Sequence, residues 1–201
     1  MRLVMNAAPV FDRVYGGLKQ LLRRGAILPG TRIDPAGHAA QLAASITPVR
    51  DALHRLAGED MLVTTSDGFQ VPILSEPDLR DLYDWSYQLV LLALRTSRRT
   101  HAAFLPEPPL HAHLAEITEA LFAAIAAAAP NRELHRAVAA ANDRLHAARR
   151  AEALVLADLG EELADLLDAD LRRLRTLLGS YHRRRIAAVP EILRARYRAL
   201  D

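Results

Sequence analysis

Residues 29–63 read PGTRIDPAGHAAQLAASITPVRDALHRLAGEDMLV, and the spacing within this stretch decides the fold. One set of positions carries aliphatic side chains at i, i+4 and i+7: Val49, Leu53 and Leu56. The opposite set carries groups that can bind bases or phosphates: Thr47, Arg50 and His54. Because residues three and four apart share a helix face, the segment is predicted to be a helix with one buried and one polar side, capped by Ser45 or Thr47.

The residues around this helix predict a winged helix-turn-helix. Pro9 to Arg24 places apolar residues at helical spacing and is predicted to be a first helix, and Pro35 to about Leu42 a short second one. Between them, Thr31-Arg32-Ile33 is predicted to be a short extended segment. After Asp60 two short β-prone runs flank an Asp67-Gly68 turn, which indicates a hairpin. In a winged helix-turn-helix, the third helix enters the major groove of DNA and the hairpin wing touches the adjacent backbone.

The chain beyond this module is predicted to be a bundle of helices. Pro72 to Pro77 has the composition of a linker, so we expect a DNA-binding domain over residues 1–75 and an all-helical domain over residues 76–201. Leucines at helical spacing continue after the linker, and Pro190 should kink or break the last helix. The predicted fold class is mainly α: a winged helix-turn-helix, with three helices and a β-hairpin wing, followed by an all-α bundle.

Composition narrows the class of protein. Of 201 residues, 51% are hydrophobic, which is enough to build real cores, and none is cysteine, which excludes disulfides and Cys-based zinc sites. The net charge of +2 excludes a polycationic nucleic-acid coat, and residues 1–75 carry that whole excess. The longest apolar run, Ala120 to Ala129, is too short to span a bilayer. We therefore expect a cytoplasmic protein with no membrane partner.

A gapless string of residues resembles the GntR family of bacterial transcription regulators. The matching positions are Pro29-Gly30, Ala39, Leu42, Ser45, Thr47-Pro48-Val49-Arg50, Ala52-Leu53, Arg55-Leu56, Glu59, Leu62 and, in the wing, Gly68. The positions that the resemblance implies contact DNA are Ser45, Ile46, Thr47, Arg50 and Gly68. We add His54, which helical spacing places beside Arg50. The family usually has arginine where this chain has Ile46, which implies a different operator, weaker binding, or a larger share for Arg50, His54 and the wing.

The region after the linker resembles the FCD type of ligand domain found in one GntR subfamily. The segment NRELH, residues 131–135, matches the D-x-x-x-H pattern with asparagine in place of aspartate, and His182 stands where a last metal-binding histidine is expected. The resemblance implies a divalent metal, zinc or nickel, at Asn131, His135 and His182, ligated by a small carboxylate effector. The middle histidine has no counterpart, and Ser86 replaces an effector-binding arginine. The alternative is that both histidines are hydrogen-bonded or surface residues.

Together these features predict a ligand-responsive transcription regulator, a repressor that binds a palindromic operator in double-stranded DNA as a homodimer. An alternative is a winged-helix regulator whose helical domain has lost metal and effector sensing and serves dimerisation or protein contacts. An enzyme is not expected, because the sequence contains no nucleophile–base pair, phosphate-binding loop or complete metal set.

Overall fold

The computed structural model describes residues 7–97 and 112–198. The chain divides into two compact units, the first ending at Ile73 and the second beginning at Leu74, and each has its own hydrophobic core. The described residues are mainly helical and include one small sheet, which confirms the predicted fold class. Within these ranges no helix is both long enough and apolar enough to cross a bilayer.

From residue 7 onwards, the first unit contains three helices and the sheet. In chain order its elements are α1 (Ala7–Arg23), β1 (Arg32–Ile33), α2 (Pro35–Gln41), α3 (Ile46–Gly58), β2 (Val63–Thr65) and β3 (Gly68–Gln70). Helix α2 begins where Asp34 caps it, because the Asp34 carboxylate accepts hydrogen bonds from the N–H groups of Ala36 and Gly37. Ser45 stands at the N-cap position of α3 without a side-chain capping bond, so the predicted hydroxyl cap does not form there.

The sheet includes a third strand, β1, which falls within the extended segment predicted at Thr31-Arg32-Ile33 but whose pairing the sequence did not predict. Strand β1 pairs antiparallel with β3, so the strand order is β1-β3-β2. Strands β2 and β3 are joined by Ser66 and Asp67, and Gly68 follows at a φ of +118°, which residues with a Cβ atom rarely adopt. The wing is therefore a hairpin whose inner strand is also held by β1.

Helix α3 packs its aliphatic side against α1. Val49, Leu53 and Leu56 are at most 1% exposed and share a core with Val14 and Leu18 of α1. The predicted buried side of α3 is confirmed. Since each fully buried aliphatic side chain contributes about 1.5–3 kcal/mol, this packing is the main force that orients α3.

Polar contacts fix the chain at both ends of α3. Before the helix, Arg13 of α1 donates to the carbonyl groups of Leu42 and Ala43, in the turn that joins α2 to α3. At the other end, the Glu59 carboxylate accepts from the hydroxyl of Tyr15, also on α1, at 2.7 Å. The two contacts link α1 to the turn and to the C-terminus of α3, so the helix-turn-helix is held along its length.

The second unit is a bundle of helices. In chain order they are α4 (Glu76–Thr96), α5 (Leu114–Ala127), α6 (Arg132–Glu152), α7 (Leu159–Asp168), α8 (Leu171–Ala187) and α9 (Val189–Arg198). Helix α6 is continuous over 21 residues, and α7 is a separate helix that the sequence did not resolve. The predicted break at Pro190 is confirmed, since α8 ends at Ala187 and α9 begins at Val189.

Side-chain caps set the starts of four of these helices, and in α5 the Nδ1 atom of His113 accepts from the N–H of Ala115. Ser75 and Asp78 form a reciprocal capping box at the start of α4, in which each side chain bonds the backbone N–H of the other. Asn131 caps α6 by accepting from the N–H of Glu133 at 3.0 Å, and Asp170 caps α8. These caps satisfy N–H groups that have no partner inside the helix.

We predict that Leu53→Ala lowers the free energy of unfolding of the first unit by about 2–5 kcal/mol, because it leaves a cavity in a packed core. Arg50→Ala, three residues earlier on the exposed side, should change it by no more than about 0.5 kcal/mol. Denaturant titration followed by circular dichroism measures both values. Equal losses in the two variants would contradict the orientation of α3.

Candidate functional site

The exposed side of α3 presents most of the side chains predicted to contact DNA. Five of the six predicted contact residues are exposed: Ser45, Ile46, Thr47, Arg50 and His54. The sixth, Gly68, is half-buried in the wing. In the part of the chain that the structure describes, Arg50 has no hydrogen-bond or ion-pair partner, so its five N–H donors are available to a ligand.

An open groove of about 240 Å³ brings α3 and the wing together. Arg50 and His54 line it from α3, and Gly68 and Phe69 line it from β3. The rings of His54 and Phe69 form a T-shaped pair, with ring centroids 4.8 Å apart and an interplanar angle of 83°. His54 therefore connects the helix to the wing as well as lining the groove.

Arg32 is a groove residue that the sequence analysis missed. It lies on β1 opposite Gln70 of β3, is exposed, and lines the same groove as Arg50. Its position depends on the pairing of a two-residue strand, for which the local sequence gives no periodic signal. The groove carries two arginines and one carboxylate, that of Asp67, and the balance favours an anionic ligand.

The second unit buries a cluster of polar and charged side chains, each at most 7% exposed. The members of this buried polar cluster are Tyr83, Glu119, Asn142, His146, Arg149, Glu152 and Arg185. They come from α4, α5, α6 and α8. Because an unpaired buried charge is costly, the hydrogen bonds among these groups determine whether the bundle is stable.

One half of the cluster is centred on Glu119. Its carboxylate lies 2.8 Å from Nδ1 of His146 and 3.5 Å from Nη1 of Arg149. The Asn142 side-chain amide donates to the backbone carbonyl of Glu119 at 3.2 Å, and its oxygen accepts from Nη1 of Arg149 at 2.8 Å. This network joins α5 to α6 inside the bundle.

The other half is centred on Glu152. Its carboxylate accepts from the Tyr83 hydroxyl at 2.6 Å and from Nε of Arg185 at 2.9 Å. Arg185 also pairs with Glu162 at 2.7 Å, and its guanidinium carbon lies 3.4 Å from the centroid of the Tyr181 ring. Burial raises the pKa of Glu152, although the charge of Arg185 and the Tyr83 hydrogen bond act to lower it.

Arg149 has donors that no described residue uses. Its Nη1 is bonded inside the cluster, whereas Nε and Nη2 are buried without a hydrogen-bond partner. These two atoms form one edge of the guanidinium, and such an edge can hold both oxygens of a carboxylate. Arg149 also lines a cavity of about 10 Å³, enough for one group the size of a water molecule, between α5, α6, α7 and α8.

Comparison with known proteins places the first unit in a family. Residues 11–68 match the family model described as bacterial regulatory proteins, gntR family. These residues are a GntR-family helix-turn-helix domain. The resemblance predicted from the sequence is confirmed for this part of the chain, whereas the FCD type of the second unit stays a prediction.

Two curated relatives of the GntR domain are similar over part of their length. HTH-type transcriptional regulator McbR of Escherichia coli (strain K12) is 39% identical over 83 residues, and the Nta operon transcriptional regulator of Aminobacter aminovorans is 47% identical over 57 residues. These matches cover 41% and 28% of this chain, and 38% and 27% of the two relatives. The chain therefore matches less than half the length of either relative.

Two solved structures share the fold over most of the chain. E. coli McbR/YncC has a TM-score of 0.68 at 23% identity, and a transcriptional regulator GntR from Rhodococcus sp. RHA1 has a TM-score of 0.67 at 17% identity. Each covers 90% of this chain and 97% of its own. The likeness extends the structural match beyond the GntR domain into the helical unit.

Each of the three predicted metal ligands makes a hydrogen bond within its own part of the bundle. Asn131 caps α6 with its side-chain oxygen, and His135 places Nε2 at 3.0 Å from the backbone carbonyl of Ala129. His182 is buried on α8, where Phe122 stacks on its ring. Among the described residues no three His, Cys, Asp or Glu side chains are grouped to hold a metal. The metal at Asn131, His135 and His182 stays a prediction.

The sequence held a signal for the buried polar cluster that we did not use. The Asn-x-x-x-His spacing of Asn131 and His135 recurs eleven residues later at Asn142 and His146. Eleven residues make about three turns, so both pairs lie on the same side of the helix and periodicity cannot separate them. The second pair is 5% and 2% exposed, and it is the pair that contacts Glu119.

We predict that His182 makes the second unit sensitive to acid. Burial lowers the pKa of His182 to about 3, so the imidazole is neutral in the folded bundle. The unfolded chain binds the proton below about pH 6.5. The free energy of unfolding should therefore fall as the pH decreases from about 6.5 towards 3, by up to about 1.4 kcal/mol per pH unit.

His182→Phe should remove this part of the pH dependence. The control is Phe122→Leu, which changes the ring stacked on His182 but keeps the imidazole, and should retain the wild-type slope. Denaturant titrations at intervals between pH 3 and 8 measure the slopes. The same slope in wild type and His182→Phe would show that this histidine is not the group responsible.

Proposed function

We propose that this chain is a DNA-binding transcription regulator in which α3 enters the major groove and the β2–β3 wing contacts the adjacent backbone. The observation that carries the proposal is the orientation of α3. Its aliphatic side is buried, and Arg50 is exposed on the other side with no partner among the described residues. The GntR-family domain over residues 11–68 supports the same function.

Each exposed residue of α3 has a chemical role in this proposal. Arg50 binds guanine through two hydrogen bonds or clamps a phosphate. Ser45 and Thr47, at the N-terminus of α3, donate their hydroxyl groups to phosphates or base edges. Ile46, which is 45% exposed, contacts the methyl group of a thymine. Gly68 lets the wing backbone approach the DNA without the steric cost of a side chain.

Two further groove residues extend this surface to the wing. Arg32, on β1, lines the same groove as Arg50. We expect Arg32 to bind a phosphate that is adjacent to the phosphate or base contacted by Arg50. His54 lines the groove while its ring packs against Phe69, and this contact restricts the orientation of the imidazole. With these two residues, the proposed interface runs from the start of α3 to the wing.

We infer that the regulator acts as a homodimer on a palindromic operator, and that it is a repressor. A single unit of this size presents few base contacts, and two recognition helices one turn of DNA apart double their number. The two curated relatives of the GntR domain are a transcriptional regulator and an operon transcriptional regulator, which agrees with a role in transcription.

We predict that Arg50→Ala weakens binding to a duplex selected from a random pool by on the order of 10- to 100-fold. Arg24→Ala is the matched control, because it removes an exposed arginine just after α1 and should change the affinity little. Fluorescence anisotropy with labelled duplex measures both. Undiminished affinity of the Arg50→Ala protein would contradict the proposed function.

A salt titration of the same complexes distinguishes the two roles of Arg50. If Arg50 binds a phosphate, Arg50→Ala weakens all sequences alike and reduces the slope of log affinity against log salt by about one. If it binds a base, the slope is retained and the preference at one base pair is lost.

We also propose that a small carboxylate effector regulates DNA binding from the buried polar cluster. The support is the edge of Arg149 formed by Nε and Nη2, whose two parallel donors match the two oxygens of a carboxylate. This mode of binding needs no metal. Because the cavity of about 10 Å³ is smaller than a carboxylate, the effector binds only a bundle whose helices have moved apart, and it shifts the population towards that state.

We predict that one or more of sodium acetate, propionate and succinate raises the melting temperature by several degrees relative to sodium chloride at equal ionic strength, since a ligand stabilises the state it binds. Arg149→Met should abolish this shift. Arg173→Met, which removes an exposed arginine of α8, should retain it. If no carboxylate in the panel moves the wild-type transition, the alternative holds, in which the second unit has lost sensing and serves dimerisation or protein contacts.

A further inference from the structure

Helix α8 carries six arginines and no acidic residue, and these arginines fall into two groups. The first group is paired with carboxylates of α6 and α7: Arg173 with Asp165, Arg184 with Glu162, and Arg185 with Glu152 and Glu162. The second group has no ion-pair partner in the part of the chain that the structure describes: Arg172, Arg175 and Arg183. Packing of the bundle therefore uses half of the positive charge of α8 and leaves the other half in solvent.

The unpaired arginines lie on one side of α8, together with two hydroxyl groups. A row of four exposed residues runs along the helix at intervals of three or four positions: Arg172, Thr176, Ser180 and Arg183. Arg175, also exposed, stands beside this row. Neither hydroxyl group has a hydrogen-bond partner among the described residues. We call these five residues the α8 face.

The guanidinium of Arg183 folds back over Gly179, inside the row. A Cβ atom at Gly179 would stand 3.1 Å from Nη1 of Arg183 and 3.3 Å from the hydroxyl of Tyr87 on α4. Two hydrogen-bond donors therefore lie over the same point of α8, next to Ser180. Because the planar guanidinium fixes the directions of its donors, little further entropy is lost when it binds a ligand.

The chemistry of the α8 face matches phosphate groups. Guanidinium groups bind phosphate through two parallel hydrogen bonds, and serine and threonine hydroxyl groups also contact the nucleic-acid backbone. The row from Arg172 to Arg183 is about 16 Å long, and duplex DNA carries about one negative charge per 1.7 Å of its axis. A duplex therefore offers several phosphates to this row at once.

The α8 face lacks the side chains that other anionic partners require. A helix that lies in a membrane surface needs apolar residues to enter the lipid, and the core of a protein–protein interface is rich in aromatic and aliphatic groups. None of the five residues of the α8 face is aromatic or aliphatic. Leu171, which is 37% exposed, points about 100° away from Arg172 around the helix axis. Polar and positively charged surfaces are typical of nucleic-acid interfaces.

We propose that the α8 face binds the phosphate backbone of duplex DNA without reading its sequence. The inference goes beyond the proposed function, because it places a DNA contact on the second unit, separate from α3 and the wing. Contacts to phosphate carry no sequence information, so the α8 face raises the affinity for all duplexes alike.

The first test is the salt dependence of binding to a duplex of random sequence. Fluorescence anisotropy on the full chain, between about 50 and 200 mM salt, measures it. One protein that carries Arg172→Ala, Arg175→Ala and Arg183→Ala should bind at least about tenfold more weakly at the lower salt. The slope of log affinity against log salt should fall by about two to three, since each phosphate contact contributes about 0.9.

A matched control removes the same charge from the same unit. It carries three changes at arginines whose side chains are 41% to 77% exposed and each paired with a carboxylate: Arg80→Ala, Arg136→Ala and Arg194→Ala. This protein should keep most of the affinity and the slope. Circular dichroism checks that both triple variants are folded. Equal losses in the two proteins would show that only net charge matters and would overturn the proposal.

A neutral pair of changes tests direct contact with the row. Thr176→Val and Ser180→Ala, made together, remove both hydroxyl groups and leave the charge as it is. The affinity should fall about threefold or more because two hydrogen bonds are lost, whereas the salt slope should stay the same because hydroxyl groups release no counterions. An unchanged affinity would contradict the contact of this row with phosphate.

Vesicles of phosphatidylserine and phosphatidylcholine distinguish DNA from an anionic membrane. If the α8 triple variant loses binding to vesicles but keeps the wild-type affinity and slope on DNA, the partner is a lipid surface and the proposal is wrong.

The outcome is also separate from that of the proposed function. Undiminished affinity of Arg50→Ala for its selected duplex overturns the role of α3, while a reduced salt slope in the α8 triple variant still supports the α8 face. A wild-type slope in the triple variant, with weakened binding in Arg50→Ala, overturns the α8 face and leaves α3 as the DNA-binding element.

Discussion

The first unit depends on the burial of one side of α3 against α1. Val49, Leu53 and Leu56 enter the core with Val14 and Leu18, and no rotation of the helix keeps them there while hiding the polar side. Each of these side chains contributes about 1.5–3 kcal/mol when buried, whereas an exposed ion pair contributes about 0–1 kcal/mol. The apolar core therefore orients the groups that we propose to contact DNA, and no contact with DNA is needed to do so.

In the first unit the groups proposed to bind DNA are exposed, whereas the second unit buries a cluster of polar and charged side chains inside the bundle. Glu119 and Glu152 each meet a buried arginine, and the two halves of the cluster lie on helices that must assemble together for the charges to be paired. A buried ion pair adds little net stability but makes the removal of one partner costly. Arg149 is the exception, because an edge of its guanidinium is left over after the internal bonds are made. These unused Nε and Nη2 donors make the buried polar cluster a candidate for ligand binding.

The accuracy of sequence-based prediction differs between the two units for physical reasons. In the first, helix periodicity and an Asp-Gly turn are local signals, and they were enough to predict the helix-turn-helix and its exposed side. Only the pairing of β1 with β3 was missed, because the local sequence of a two-residue strand does not indicate its partner. In the second, Asn131 and His135 have the same spacing as Asn142 and His146, and only packing of the whole bundle decides which pair is buried. Spacing along a helix carries no information about depth in a bundle.

The most direct test of the account is site-specific cross-linking to bound duplex. The chain contains no cysteine, so a single introduced cysteine can carry a photoactivated cross-linker without competing sites. A label at Thr47→Cys, on the exposed side of α3, should cross-link to bases of the bound DNA, whereas a label at Gln20→Cys, on the exposed side of α1, should not. Cross-links from Gln20→Cys with none from Thr47→Cys would contradict the claim that α3 is the element that reads DNA.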